Sequence, residues 1–219
     1  VVTEDTADLT MALMLAACRQ LSFCERALRR GEWELGQQHL GSRVQGKTLG
    51  IIGLGEIGQA VARRARGFDL QLLYHGPSRK EDAEEQLGAQ YRPALDDLLA
   101  ESDIVTLNCP LTTESRHLIN AESLAKMKAG AVLINTGRGP LIEEDALVEA
   151  LTEGQLGAAG LDVFEFEPHI HPLLLDFDNV SLTPHLGSAT RECRMDIAMR
   201  AFANVRNYLE HGAPLDRCN

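Results

Sequence analysis

The sequence predicts an α/β fold in which helices cover both faces of a doubly wound parallel sheet, and two observations support this prediction. From Lys47 onward, short apolar segments alternate with segments of helical periodicity. Two of the apolar segments, 104–107 and 131–134, lack polar alternation, which is typical of strands buried on both faces of a parallel sheet. Alternating strands and helices form βαβ units, whose ligands bind at the carboxyl ends of the strands.

Apolar periodicity and turn residues locate the individual elements after Lys47. We expect strands at 48–53, 70–74, 104–108, 131–135, 157–162 and 179–182. We expect helices at 56–66, 79–87, 94–101, 121–127 and 143–153. A long last helix spans roughly 188–211 and stops at Gly212-Ala213-Pro214, a helix-terminating sequence.

A long helix is also expected before the first strand. Thr3 can cap its start, and Glu4 and Asp5 lie in the first turn, where the helix dipole favours acids. Apolar residues recur at helical spacing up to about Arg30. We expect residues 31–46 to form an irregular connection. Its apolar side chains need burial, either on the same domain or at a subunit interface. These side chains are Trp33, Leu35, Leu40 and Val44.

Charge and cysteine usage limit the possible partners. The 219 residues carry a net charge of −11 without a lysine- or arginine-rich run, which argues against nucleic acid or a membrane surface. Five cysteines without a Cys-x-x-Cys pair predict a reducing, cytoplasmic location and no zinc site. No apolar run approaches the about 20 residues that cross a bilayer. His169 and His171 could form a metal pair, but flanking prolines favour loop residues.

The most informative segment is Gly53-Leu54-Gly55-Glu56-Ile57-Gly58. A strand precedes it and a helix follows, which is the context of a Rossmann dinucleotide-binding loop. The first glycine makes the tight turn, the second admits the pyrophosphate, and the third lets the helix pack closely on the strand. The new helix N-terminus attracts phosphate groups. The alternative is an ordinary tight β–α turn.

The end of the second strand bears on the choice of cofactor. An NAD-preferring site usually carries an acid here, which binds the ribose hydroxyls. No acid occurs in the segment 74–80, whereas Ser78, Arg79 and Lys80 could hold a 2′-phosphate. Gly76 is a further candidate for contact with the cofactor. We therefore favour NADP over NAD. The alternative is that the two basic residues only open a solvated helix.

Polar side chains also follow the later strands. Arg138 stands between two glycines, where its guanidinium could hold a carboxylate or polarise a carbonyl, or could simply be solvated. His185 precedes the last helix, and Glu167 could orient its ring for proton transfer; alternatively, the histidine only bonds at the helix start. The remaining candidates at strand ends are Cys109, Pro110, Thr136 and Asp162.

Four spaced motifs together resemble the D-isomer-specific 2-hydroxyacid dehydrogenases. They are Gly53-Leu-Gly55-Glu-Ile57-Gly58, Asn135-Thr-Gly-Arg138-Gly139, Gly160-Leu-Asp162-Val-Phe-Glu165-Phe-Glu167-Pro168 and Pro184-His185-Leu-Gly187. Within the family, the acid-free segment 74–80 is most similar to the glyoxylate/hydroxypyruvate reductase group.

The resemblance implies roles for these residues. Arg138 would bind and polarise a 2-keto acid, His185 would protonate its carbonyl oxygen, and Glu167, rather than the nearby Glu165, would hold the histidine. Asp162 would bind the nicotinamide end of the cofactor. Further residues would line the cofactor: Cys109, Pro110, Thr136 and Gly187.

Some positions depart from the family pattern. Asp69 stands where glycine is usual, and aspartate tolerates left-handed backbone. Pro77 stands where NADP-dependent members often carry arginine. The family's first hundred or so residues, part of a substrate domain, have no counterpart here. We therefore expect an inter-domain helix and connection at 1–46, a dinucleotide-binding domain at 47–188 and a returning helix at 189–219.

The resemblance also implies an NAD(P)-dependent oxidoreductase of small 2-keto or 2-hydroxy acids, with this chain alone binding cofactor but turning over little. Apolar surface on the first and last helices is expected to cause self-association. A homodimer with Trp33 and Leu35 at its interface fits the family. The alternatives are a nucleotide-sensing co-repressor or scaffold on the same fold, and a dehydrogenase of another small substrate such as formate or phosphite.

Overall fold

A computed structural model describes residues 1–216 of the chain; the fifth cysteine, Cys218, lies outside them. The helices of this part are α1 (Thr3–Arg19), α2 (Leu21–Arg29), α3 (Trp33–Gln38), α4 (Glu56–Ala65), α5 (Glu81–Leu87), α6 (Leu95–Glu101), α7 (Ala121–Lys126), α8 (Glu144–Thr152) and α9 (Arg191–His211). The strands are β1 (Thr48–Ile52), β2 (Gln71–His75), β3 (Gln90–Tyr91), β4 (Ile104–Leu107), β5 (Ala131–Asn135), β6 (Leu156–Leu161) and β7 (Val180–Leu182).

The strands form one parallel sheet in the order β3-β2-β1-β4-β5-β6-β7. The order reverses between β1 and β4, so the chain winds outward in both directions, which confirms the predicted doubly wound fold. All six predicted strands are present. The prediction missed β3, because a two-residue edge strand is too short to show periodicity.

Helices cover both faces of the sheet, and each face has its own apolar core. Val105, Leu107 and Leu133 point to the face covered by α6, α7 and α8. Their neighbours Ile104 and Val132 point to the opposite face, covered by α1, α4 and α5. Every residue of β4 and β5 is buried, as expected for central strands of a parallel sheet.

The prediction of one continuous helix up to Arg30 is wrong. Gln20 adopts a left-handed conformation with φ of 51° and separates α1 from α2. A continuous helix would bond the Cys18 carbonyl to the amide four residues later. Here that carbonyl accepts the Ser42 amide at 2.7 Å instead. The break therefore depends on the later connection, which passes close to the end of α1.

Two further predictions near the N-terminus are wrong. Val2, not Thr3, is the N-cap of α1, and no side-chain cap bond forms there within the described residues; the Thr3 hydroxyl instead donates to the Glu56 carboxylate at 3.2 Å. The connection 31–46 is not wholly irregular, because it contains α3. Burial on the same domain holds only for Val44: the other three apolar side chains, Trp33, Leu35 and Leu40, are exposed.

The two long helices differ in their surroundings. α1 packs Met11, Leu13 and Met14 into the core, so it does not leave the apolar surface that we expected. α9 begins three residues later than predicted, where the Thr190 hydroxyl caps it by accepting the Cys193 amide at 3.0 Å. It buries only Cys193 among its described residues. Its exposed apolar side chains are Met195, Met199, Phe202, Val205, Tyr208 and Leu209.

Three other features bear on the sequence predictions. Asp69 is left-handed with φ of 55°, as expected for an aspartate at a usual glycine position. The described cysteines are free thiols: Cys18, Cys24, Cys109 and Cys193. Among residues 1–216, none of the helices combines the length and hydropathy that a bilayer crossing requires.

Candidate active site

A crevice opens at the carboxyl ends of β1 and β4, where the strand order reverses. It contains two adjoining cavities of about 710 and 630 Å³, within the size range of small-molecule sites. We call the first the Arg138 cavity and the second the Ser78 cavity, after a residue that lines each. Both are lined by Gly55, Asn108, Cys109 and Pro110.

The three motif glycines occupy different environments. Gly53 has φ of 96°, and a Cβ added to it would lie 2.6 Å from the Cys109 amide nitrogen. A Cβ on Gly58 would lie 2.2 Å from the Gly53 carbonyl oxygen, so this glycine permits close packing of α4 on β1. Gly55 has no described atom within 4 Å of its Cβ position. Its backbone is therefore open to the crevice, as a bound pyrophosphate would require.

The start of α4 faces the Arg138 cavity. Gly55 is its N-cap, and no side chain from the described residues caps the helix. Glu56 and Ile57, in the first turn, line the cavity. Uncapped amides at a helix start attract anions, so this site fits a dinucleotide phosphate.

The Ser78 cavity has a largely apolar wall. Gly76, Ser78 and Lys80 line it together with Ile52 and Leu118. Arg79 does not line it: its guanidinium binds Glu84 of α5 through two hydrogen bonds of 2.9 Å. The hydrogen bond from Arg79, with one from Tyr74, lowers the pKa of Glu84. An acid therefore reaches Arg79 from α5, although none occurs in the segment 74–80.

The Arg138 turn is held by a buried amide. Asn135, at the end of β5, accepts the Gly137 amide and donates to the Arg138 carbonyl, each at 3.0 Å. Thr136 and Thr10 of α1 share a hydroxyl hydrogen bond of 2.7 Å. The guanidinium of Arg138 remains exposed and lines the cavity.

Asp162, at the end of β6, organises the next loop. Its carboxylate accepts the Thr183 hydroxyl and the Leu186 amide, both at 2.6 Å, and the Gly187 amide at 2.9 Å. The side chain is buried, yet it lines the cavity. Both carboxylate oxygens are thus engaged within the protein, so Asp162 supports the loop that carries His185.

His185 and Glu167 form a hydrogen-bonded pair. The His185 Nδ1 donates to the Glu167 Oε2 at 2.9 Å, and Glu167 Oε1 accepts the Phe164 amide at 3.0 Å. Burial opposes ionisation of Glu167, but these two bonds and the charges of His185 and Arg138 together lower its pKa. With Nδ1 engaged, Nε2 is the nitrogen free to act in the Arg138 cavity, which the histidine lines.

The alternative acid, Glu165, lies elsewhere. Its carboxylate accepts one hydrogen bond from the His117 ring at 2.5 Å and one from the Arg116 guanidinium at 3.1 Å. The structure therefore brings Glu167, rather than Glu165, to His185.

The comparisons with known proteins agree with this geometry. Residues 11–187 match the protein-family model described as D-isomer specific 2-hydroxyacid dehydrogenase, NAD binding domain. The chain belongs to this family. Since the matched part is the NAD-binding domain, the cofactor class is a nicotinamide dinucleotide.

Similar members of the dehydrogenase family include reductases of small acids. Glyoxylate reductase of Pyrococcus horikoshii is 50% identical over 211 residues, covering 94% of this chain and 63% of that protein. A crystal structure of glyoxylate reductase from Paecilomyes thermophila has a TM-score of 0.92 and 43% identity, covering 98% of this chain and 64% of that one.

A third relative was solved with its cofactor. The NADPH-dependent glyoxylate/hydroxypyruvate reductase of Sinorhizobium meliloti, in complex with NADP and malonate, has a TM-score of 0.90 and 36% identity, covering 98% of this chain and 66% of that one. This chain spans 63 to 66% of the length of the three proteins.

Most predicted site residues of this dehydrogenase domain line the crevice. The Arg138 cavity contains Gly55, Glu56, Ile57, Cys109, Pro110, Thr136, Arg138, Asp162, His185 and Gly187. The Ser78 cavity contains Gly53, Gly55, Gly76, Ser78, Cys109 and Pro110. Three predicted residues line neither cavity: Gly58, Arg79 and Glu167.

Sequence reasoning missed several supporting residues. Asn135 and Thr10 hold the Arg138 turn, and the Thr6 hydroxyl donates to the Gly187 carbonyl at 3.1 Å. The side-chain nitrogen of Asn108, Nδ2, is buried between the cavities and has no partner among the described residues. Asn135 and Asn108 directly follow apolar strand residues, and this position at a strand end could have marked them as part of the site.

No three metal-ligating side chains converge within residues 1–216. His171 caps a short 3₁₀ helix by accepting the Leu173 amide at 3.3 Å. Its other ring nitrogen lies 3.4 Å from the Asp145 carboxylate.

Proposed function

We propose that this chain is the cofactor-binding part of an NAD(P)-dependent reductase of small 2-keto acids of the glyoxylate/hydroxypyruvate kind. The observation that carries the proposal is that Arg138 and His185, which is bonded to Glu167, line one crevice together with the motif glycines Gly53 and Gly55. A nucleotide-sensing scaffold would need the loop but not the rest of this set.

Each side chain has a defined part in the proposed reaction. The guanidinium of Arg138 holds the substrate carboxylate and polarises the neighbouring carbonyl, because its fork of donors matches both oxygens. His185 donates its proton from Nε2 to the carbonyl oxygen. The bound nicotinamide supplies the hydride. Glu167 keeps the ring oriented and stabilises the imidazolium, which gives up the proton in reduction and forms again in the reverse direction.

The experiment that tests this function replaces His185 by asparagine in the whole protein. We expect turnover of glyoxylate and hydroxypyruvate to fall by about 10³-fold, within the usual range for loss of a general acid, with cofactor affinity within about twofold. Steady-state kinetics and calorimetric titration measure the two quantities. His211→Asn, on the exposed end of α9, is the matched control.

Three results would point elsewhere. Retained turnover in His185→Asn would remove the proposed acid. Activity on formate or phosphite but on none of a panel of 2-keto acids would favour another dehydrogenase. Partner binding that survives His185→Asn, without turnover in the parent protein, would favour a co-repressor or scaffold.

We further propose NADP as the preferred cofactor. The acid-free segment 74–80 and Ser78 in the cavity wall support it, whereas the pairing of Arg79 with Glu84 weakens it. Separate calorimetric titrations with NADPH and NADH test the preference; equal or tighter binding of NADH would reject it.

The assembly and organisation are proposed on similar grounds. We propose a homodimer with Trp33 and Leu35 at its interface, a division into 1–46, 47–188 and 189–219, and a cytoplasmic location. The exposure of Trp33 and of the α9 apolar side chains supports self-association. Sedimentation at high concentration tests it, and a monomer under those conditions would contradict it.

A further inference from the structure

A second histidine–carboxylate pair, His117 and Glu165, lines neither cavity of the candidate active site. His117 Nε2 donates to Glu165 Oε1 at 2.5 Å, and Arg116 donates to the same oxygen at 3.1 Å. The Glu165 side chain is 6% exposed and the His117 side chain 32%. Unlike His185, this histidine does not face the Arg138 cavity.

Glu165 is tied to the start of α8 by a reciprocal exchange of hydrogen bonds. Its Oε2 accepts the Glu144 amide at 3.2 Å, and the Glu144 Oε1 accepts the Glu165 amide at 2.7 Å. The preceding amide, that of Phe164, donates to Glu167 at 3.0 Å. The consecutive amides of Phe164 and Glu165 are therefore held by different carboxylates. The one that holds Phe164, Glu167, is also the partner of His185.

His117 connects this loop to the Arg138 turn. Its backbone amide donates to the Pro140 carbonyl at 2.8 Å, two residues beyond Arg138. On the same turn, a Cβ added to Gly139 would lie 1.7 Å from the Phe164 carbonyl oxygen. The turn and the loop thus meet twice, through His117 and at the Phe164–Glu165 peptide.

We propose that His117 and Glu165 are positioning residues that set Glu167, and through it His185, relative to Arg138. This inference rests on the proposed function for its catalytic consequence. Buried hydrogen-bonded pairs restrict the groups attached to them, and a displacement of about 1 Å in a reacting group can cost about 10²-fold in rate. Neither residue touches the proposed substrate position.

The test uses His117→Asn, because His117 has φ of 51° and asparagine tolerates this conformation well. Its shorter side chain cannot keep the ring's contact with Glu165. In the whole protein we expect kcat to fall about tenfold, with the cofactor Kd within about twofold. In a Glu167→Gln background, adding His117→Asn should lower kcat by less than about a further twofold, because both substitutions act on His185 through Glu167.

A spectroscopic readout separates positioning from a general structural role. In long-range ¹H–¹⁵N spectra of the 219-residue chain, the neutral ring of His185 should carry its one proton on Nδ1, as the bond to Glu167 requires. In His117→Asn the ring should sample both tautomers while the amide spectrum of the sheet is retained. Glu165→Gln, which removes one of the two carboxylate oxygens, is the second variant should the first unfold.

Asp145→Asn is the matched control, because it removes the carboxylate charge that faces His171, at the residue next to Glu144. It should leave both kcat and the His185 spectrum unchanged. An unchanged His185 tautomer in both test variants would overturn the positioning role. If instead His185→Asn retains turnover, the proposed function fails, while the spectra still decide the positioning of the ring.

Discussion

The two ends of the crevice are held in place by different means. At the Arg138 end, the buried side chains of Asn135 and Asp162 bind backbone amides of the loops that carry Arg138 and His185. At the Ser78 end, the Lys80 amide donates to the hydroxyl of buried Tyr74 at 2.7 Å, but the charged side chain there, Arg79, is 58% exposed and pairs with Glu84. Buried polar groups are costly to leave unpaired, whereas exposed ion pairs contribute little. Replacing a charged side chain at the first end should therefore affect stability, and replacing one at the second mainly selectivity.

The sharpest way to break this comparison is Asp162→Asn. The amide would direct its NH₂ group at the Gly187 amide, which now donates to Asp162 Oδ2, so two donors would face each other. We expect the free energy of unfolding, measured with urea, to fall by about 2–4 kcal/mol. The control Asp178→Asn, at an exposed pair with Arg26, should cost less than about 0.5 kcal/mol. Equal effects of the two substitutions would contradict the comparison.

A glycine pair compares a tightly packed and an open backbone position, both of which line the Ser78 cavity. Gly53→Ala forces a Cβ to within 2.6 Å of the Cys109 amide at φ of 96°, and we expect about 2 kcal/mol lower stability with weaker cofactor binding. Gly76→Ala adds a Cβ with no described atom within 4 Å and should change stability by no more than about 0.5 kcal/mol. Urea denaturation and calorimetry measure both variants; a tolerated Gly53→Ala would show that the turn can relax.

Selectivity is expected to respond at the Ser78 end. Arg79→Ala should lower the preference for NADPH over NADH about fivefold, or about 1 kcal/mol, if the guanidinium can leave Glu84 for a 2′-phosphate. Glu84→Gln weakens the competing pair with Arg79 and should raise the preference for NADPH over NADH. The exposed Arg43→Ala is the control. If neither variant moves the ratio of the two dissociation constants, Arg79 has no part in selectivity.

The smallest effect concerns the pH dependence of Glu167. Its folded-state pKa lies below the ordinary value of 4.5, so the ionised carboxylate stabilises the fold above that value. This contribution is lost as the pH falls through the lowered pKa. Because the side chain is 36% exposed, solvent screening limits it to below about 1 kcal/mol.

Urea unfolding of the parent and Glu167→Gln checks this window. The parent's stability advantage should be present at pH 7 and should shrink only below 4.5. The exposed Glu122→Gln is the control for the loss of a carboxylate elsewhere. An advantage that grows on acidification would reverse the predicted sign.

The sequence was sufficient for features that depend on local pattern. The parallel sheet follows from apolar segments such as 104–107 and 131–134, and the glycine loop from its spacing between a strand and a helix. The end of each strand located Arg138 and His185, because the carboxyl ends of parallel strands share one edge.

Contacts between distant segments were not predictable in this way. The break at Gln20 depends on Ser42 reaching the Cys18 carbonyl, and the Arg138 turn is joined to α1 by the bond between Thr136 and Thr10. Periodicity describes which residues lie on one face of an element, but not what that face meets. This is why α1 and α9, both expected to leave apolar surface, differ in burial.

The sequence by itself determined the fold class, the family resemblance and most of the residues that line the crevice, because these are encoded in periodicity and short motifs. Only the tertiary structure decided how those residues are held: Asp162 against the His185 loop, and Glu165 with His117 rather than with His185. The physical reason is that a buried polar group must find a partner, and which partner it finds depends on how distant segments pack together.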